Sequence, residues 1–255
     1  MILVYKIQIP TLPTKKDRRL YVYLPKEYEK TEERYPVLYM FDGHNVFYNS
    51  HATYGKSWGM KEYLTRTHLP LIVVAVECNH EGNQRLSEYS PYDFSERGMG
   101  RIEGRGKETM DWIVSELKPY IDETYRTIPD REHTMIAGSS MGGLMALYAV
   151  VAYNEVFSRA AALSPSIMLC MKEVRSLIAE TKLQKTTRVY MDVGSTEVPE
   201  NPRGRGLLAD LFDTAARLTK GGAQVAAQLV PGAAHCEADW EKRIPVFMDY
   251  LGDDL

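Results

Sequence analysis

The chain has 255 residues, 44% of them hydrophobic and 25% charged, with a net charge of −3 at pH 7. This is the balance of a globular protein long enough to bury one large core. Its slight acidity speaks against a general partner of nucleic acid or of anionic membranes. No apolar run approaches the roughly 18 residues of a membrane span, and Met1-Ile2-Leu3-Val4-Tyr5-Lys6 lacks a basic n-region and alternates like a strand, so no signal peptide is expected. The cysteines, Cys78, Cys170 and Cys236, follow no metal-like spacing. A cytoplasmic protein with free thiols is expected.

Residues 4–9 and 19–24 read as antiparallel strands joined through a turn at Lys15-Lys16-Asp17. Residues 36–41 and 71–76 are apolar throughout, as strands buried on both faces are. Residues 109–125 carry Met110, Ile113, Val114, Leu117 and Ile121 at helical spacing, with a kink expected at Pro119. A strand at 133–137 leads into Gly138-Ser139-Ser140-Met141-Gly142, and a helix follows over 144–150. Strands at 159–163, 188–193 and 224–230 complete eight, with helices at 171–181, 207–220 and 238–251. Strands alternating with helices imply an α/β class: a mostly parallel eight-stranded sheet, an antiparallel N-terminal edge and helices on both faces. No repeat or linker divides residues 1–255, so one domain is expected. The long irregular stretches 43–57, 79–106 and 195–206 each follow the C-terminal end of a strand, the edge where open α/β sheets hold ligands.

Strand, Gly-flanked turn with serine, then helix is the pattern of a nucleophile elbow. Ser140 is the middle residue of its G-x-S-x-G frame and the candidate nucleophile; the Met141 N–H and the helix N-terminus would face an oxyanion. A serine hydroxyl needs a base, and the base a carboxylate. His235 is the only histidine after Ser140 and lies in the loop 231–235 behind the last strand. Glu197, in the loop after the strand at 188–193, is the preferred acid; Asp192, Glu200 and Asp210 are alternatives, and Glu237 follows His235 too closely to orient it. The second oxyanion donor is expected from the loop after the third strand, at the N–H of His44 or Gly43. A metal held by Asp42, His44 and His51 is disfavoured, because no ligand spacing supports it.

Several segments carry a family resemblance. Residues 39–47, 85–92, 116–122, 125–127, 137–144, 192–197 and 232–240 are similar to the corresponding stretches of the α/β-hydrolase family that includes esterase D, feruloyl and acetylxylan esterases, siderophore trilactone esterases and mycolyltransferases. The resemblance implies a serine esterase needing no cofactor, with Glu197 and His235 at the acid and base positions. Feruloyl and siderophore esterases often carry aromatic residues where Ile167 and Met168 stand after Leu163-Ser164-Pro165-Ser166, which weakens an aromatic or catechol substrate. Trp58 and Arg85 are candidate substrate contacts, Trp58 with a core role as its alternative. Arg97, Arg101 and Arg105, interleaved with glycines, read either as a cationic lid or as a solvated loop, and Arg203 and Arg205 share that ambiguity. Hydrolysis of an acylated carbohydrate or other small ester is the expected reaction; acyl transfer with the same residues, siderophore trilactone hydrolysis and a non-catalytic binding protein on a hydrolase fold are the alternatives.

Overall fold

Period-two alternation decides how the central sheet is clothed. Val37, Tyr39, Val74, Ile136, Ala160 and Met191 face one apolar core, while their neighbours Leu38, Met40, Val73, Met135, Ala161 and Tyr190 face a second. Strands buried on both sides need helices on both sides. The computed structural model describes residues 1–96, 98–198 and 202–252.

The strands are β1 (Ile2–Ile7), β2 (Arg18–Tyr23), β3 (Val37–Met40), β4 (Ile72–Val76), β5 (Phe94–Glu96), β6 (Gly100–Ile102), β7 (Thr134–Ser139), β8 (Arg159–Leu163), β9 (Arg188–Gly194) and β10 (Gln224–Val230). Eight form one sheet in the order β1-β2-β4-β3-β7-β8-β9-β10. β2 pairs antiparallel with β1 and β4; the pairs from β4 through β10 are parallel. β5 and β6 make a separate antiparallel hairpin.

The helices are α1 (Met60–Thr67), α2 (Gln84–Glu88), α3 (Gly106–Trp112), α4 (Lys118–Thr124), α5 (Met141–Ala152), α6 (Met171–Glu180), α7 (Pro202–Lys220) and α8 (Glu237–Gly252). α1 and α8 cover one face through Leu64, Trp240, Ile244 and Phe247. α3 to α7 cover the other, through residues such as Met110, Ile121, Leu147, Val174 and Leu218. α5 is buried all round, so it sits at the centre of that layer.

The eight strands of the sheet are those expected, in an α/β-hydrolase order. β1 begins two residues earlier than expected, because Ile2 pairs with Tyr23. The helix expected at 109–125 runs as α3, a π turn at Ile113–Leu117 and α4. The wider turn falls just before Pro119, which has no N–H and whose ring would otherwise press on the carbonyl a turn back. α2 and the β5–β6 hairpin stand in the stretch 79–106 read as irregular, and α1 stands between two such stretches.

Candidate active site

β7 delivers the chain to Ser140 with φ 57° and ψ −120°, and α5 starts at the next residue. A non-glycine residue holds such a conformation only when its surroundings over-determine it. They do so here: the Ser140 N–H donates to the Leu163 carbonyl at 2.9 Å, and the Ser140 carbonyl accepts from the N–H of Leu144 and of Ser166, each at 3.0 Å. Gly138 is required by close approach, since a Cβ there would lie 2.5 Å from the Gly142 backbone. The Met141 N–H, at the first helical position, has no intrahelical acceptor.

His235, which lines one cleft with Ser140, meets Glu197. His235 Nδ1 lies 2.6 Å from Glu197 Oε2. The other carboxylate oxygen accepts from the Gly194 N–H and the Ser164 hydroxyl, each at 2.8 Å, and from Arg243 Nη2 at 3.5 Å. Burial alone would push the Glu197 carboxyl up; these hydrogen bonds reverse that and hold it below its ordinary value. Trp240 donates its indole N–H to Ser164 Oγ at 3.1 Å, and its ring meets the His235 ring edge to face at 5.0 Å. The Ser140 hydroxyl contacts the Ser166 hydroxyl at 3.4 Å and lines the same cleft as His235. The alternative acid Asp192 is fully buried and turned sideways, accepting from Arg243 Nη1 at 2.8 Å and Tyr190 at 2.7 Å. Asp210 lies in α7 and pairs with Arg175; Glu200 lies outside the described residues.

Across the cleft the loop after β3 turns sharply, with Asp42 at φ 55°. Its carboxylate accepts a two-pronged bond from Arg85, Nε to Oδ1 and Nη2 to Oδ2, each 2.7 Å. Burial would raise the Asp42 carboxyl; Arg85 outweighs it and leaves the group below its usual value. A Cβ on Gly43 would fall 2.6 Å from the Ala75 carbonyl, so this loop packs on the sheet edge only with glycine there. His44 is buried, and burial lowers its imidazole to about 4, so it is neutral at pH 7.

Two hollows adjoin His235. One, of about 410 Å³, is polar and exposes Ser140, His44, His80, Asn79, Arg85 and Glu237. The other, of about 280 Å³, is lined by apolar residues including Ile167, Met168, Leu207 and Leu211. Arg85 therefore lines the cleft while its Nε–Nη2 edge is held by Asp42. Trp58 does not line either hollow: it lies in the core one layer behind Trp240, 5.9 Å between ring centroids. Arg101 pairs with Asp93, and Arg105 with Glu103 and Glu108; neither lines the cleft. Arg97 lies outside the described residues, as do the side chains of Arg203 and Arg205. Of the disfavoured metal set, His51 bonds Tyr21 and Asp42 bonds Arg85.

The sequence reading missed Ser164, Arg243 and Trp240. Ser164 has φ 43°, and its neighbour Pro165 was the available sign of a sharp turn. Arg243 and Trp240 sit on α8 a helical turn apart, a spacing that does not distinguish a buried arginine from a solvated one.

Sheet order, elbow and loop placement define an α/β hydrolase. Residues 12–249 match the family described as "Putative esterase", and the chain belongs to it; its class of chemistry is carboxylic-ester hydrolysis. Among curated proteins it is 26% identical over 186 residues to the uncharacterized protein YbbA of Bacillus subtilis (strain 168), covering 71% of this chain and 69% of that one. Among solved structures it resembles an IroE-like serine hydrolase from Shewanella oneidensis, with TM-score 0.76 and 20% identity over 98% of this chain and 79% of that one. It also resembles the siderophore hydrolase EstA from Aspergillus nidulans, with TM-score 0.75 and 17% identity over 100% and 95% of the two chains. No helix among the described residues is long and apolar enough to cross a membrane.

Proposed function

We propose that the protein hydrolyses small carboxylic esters through a serine acyl-enzyme, with Ser140 as nucleophile, His235 as base and Glu197 orienting the imidazole. The observation that carries this reading is the 2.6 Å contact between His235 Nδ1 and Glu197 above a cleft that also exposes Ser140. Glu197 takes the Nδ1 proton in its hydrogen bond, which leaves Nε2 free to accept one. A rotation of the Ser140 side chain away from Ser166 brings its hydroxyl to Nε2; such contacts commonly tighten only when substrate binds. Ser140 Oγ attacks the carbonyl carbon, its proton passes to His235, and the collapse of the tetrahedral adduct returns that proton to the leaving alcohol. Water then repeats the sequence on the acyl-enzyme, releasing the acid.

The N–H groups of Met141 and of His44 or Gly43 receive the oxyanion, each donor supplying about 3 kcal/mol to the transition state. Every proton in this scheme moves between protein groups, substrate and water. The apolar hollow beside Ile167 and Met168 suits an aliphatic acyl or alkyl portion, and the polar cleft suits the other half of the ester. We place the enzyme in the cytoplasm, on its free thiols.

The test is Ser140→Ala against p-nitrophenyl acetate, together with labelling by a fluorophosphonate. Loss of turnover with label found on Ser140 supports the reading. Unchanged turnover in the variant, or label on another residue, overturns it. Because EstA is named a siderophore hydrolase, a trilactone belongs in the same panel as acetyl, butyryl and feruloyl esters.

A further inference from the structure

We propose that His44, Cys78 and His80 form a binding site for one thiolate- and imidazole-preferring divalent transition ion, zinc being the type case, with its fourth position open to the cleft. Each residue offers one ligand atom, and these atoms lie within 4.8 Å of one another. Tetrahedral zinc with bonds of about 2.0–2.3 Å sets its ligands roughly 3.3–3.8 Å apart. The remaining ångström is closed by the exposed His80, turning about its Glu77 contact toward two buried partners.

The surroundings of both rings support the assignment. His44 Nε2 meets the Thr53 hydroxyl at 3.0 Å, while its Nδ1 is buried with no hydrogen-bond partner. His80 Nε2 meets Glu77 Oε1 at 3.1 Å. Each imidazole thus has one nitrogen fixed by an oxygen and the other, Nδ1, left to coordinate, the arrangement by which outer partners aim histidine ligands at a metal. Glu77 is itself anchored by Arg19. The rings stand edge to face, 4.2 Å between centroids, and must part to roughly 5 Å to aim both nitrogens at one tetrahedral ion. Coordination breaks the Cys78 S–H, which otherwise donates to Asp42, forms a sulfur–metal bond and releases that proton to solvent. Two imidazoles and one thiolate suit zinc better than the hard, oxygen-preferring ions.

His44 and His80 both line the cleft that exposes Ser140. An ion held there sits against the loop carrying the 43 and 44 N–H groups, so occupancy is expected to suppress ester turnover.

The test uses the full chain, stripped with a chelator and titrated with cobalt chloride. One equivalent should give tetrahedral d–d bands and a near-ultraviolet thiolate-to-cobalt band, both erased by zinc. Cys78→Ser should abolish the thiolate band and Cys236→Ser should keep it. His80→Ala, at an exposed position, should weaken cobalt binding by at least about 100-fold, the upper end of what loss of an outer partner costs. No thiolate band in the wild type, or a band that survives Cys78→Ser, overturns the proposal. So does His80→Ala binding cobalt as tightly as wild type. Ser140→Ala should bind cobalt like wild type, so this outcome is read independently of the esterase assignment.

Discussion

Replacing Glu197 by glutamine separates the charge of this side chain from its shape. One carboxylate oxygen accepts from Gly194, Ser164 and Arg243, and the other faces His235. A carboxamide has one oxygen, and three donors claim it. Its NH₂ must then face His235 Nδ1, which can meet it only as an acceptor. The imidazole carries its proton on Nε2 in that state and cannot receive one from Ser140. The expected loss in kcat/KM for p-nitrophenyl acetate at neutral pH is on the order of 10³–10⁴, or about 4–5.5 kcal/mol of transition-state stabilisation. KM should change little, because the residue touches no substrate. Stability in urea should fall by only about 1 kcal/mol, since the glutamine oxygen keeps its three donors. A Glu197→Gln enzyme within tenfold of wild type would refute the assignment of Glu197 as the group that orients His235.

The same pair of proteins tests the electrostatics. The Glu197 carboxyl is held below its ordinary value of 4.5, so the unfolded chain binds the proton first as the pH drops. Its contribution to stability is therefore complete above pH 4.5 and lost as the pH falls through the folded value. The urea-unfolding gap between wild type and Glu197→Gln should be constant above that point and shrink below it; a gap that does not move with pH would contradict this. At the opposite wall, Arg85→Lys replaces a planar two-pronged donor with a point charge. One Asp42 oxygen then loses its partner, and stability should fall by about 1–3 kcal/mol. With the loop at 42–45 no longer pinned, kcat should drop at least tenfold; an unchanged kcat would show that Arg85 does not position it.

How far residues announced this arrangement depended on whether their signal was local. The elbow did so because Gly138, Ser140 and Gly142 fall within five residues between an apolar run and a helical one, although Ser140 and Gly142 also meet Leu163 and Phe41 across the sheet edge. Glu197 could be preferred over Asp192 because a side chain inside a strand is aimed by the pleat, and Asp192 does point sideways into Arg243. Trp58 reads equally well as wall or core, and only the packing of Trp240 in front of it decides. Arg243 reaches Glu197 across 46 residues, and nothing in the run Glu241-Lys242-Arg243 distinguishes the buried cation from its exposed neighbours. The three-residue strands β5 and β6 are too short to show a period at all. His80 and Cys78 adjoin in sequence, but their meeting with His44 is made by the parallel pairing of β3 and β4, which sets the ends of the two strands side by side.

The loop after β3 and the C-terminal part of β9 are each staked by a buried acid and an arginine from a distant element: Asp42 with Arg85, and Asp192 with Arg243. Such pairs are weak contributors to stability, because desolvation offsets most of their attraction, yet they fix geometry. Arg243 lies at 3% exposure and Asp192 at 0%, where that offset is largest. Removing Arg243 alone, as Arg243→Met, should destabilise by about 3–5 kcal/mol, since it leaves Asp192 charged and buried without its partner. The double replacement Arg243→Met with Asp192→Leu should recover much of that loss, as an apolar pair of similar volume. Activity should not follow stability. The double variant still lacks the guanidinium that bonds Ser164 Oγ at 3.1 Å and approaches Glu197. Its kcat should therefore stay low, with KM near wild type, while its urea midpoint returns. Recovery of kcat in step with the midpoint would mean that Arg243 serves the fold alone, and that the geometry of Glu197 is set by Gly194 and Ser164 without it.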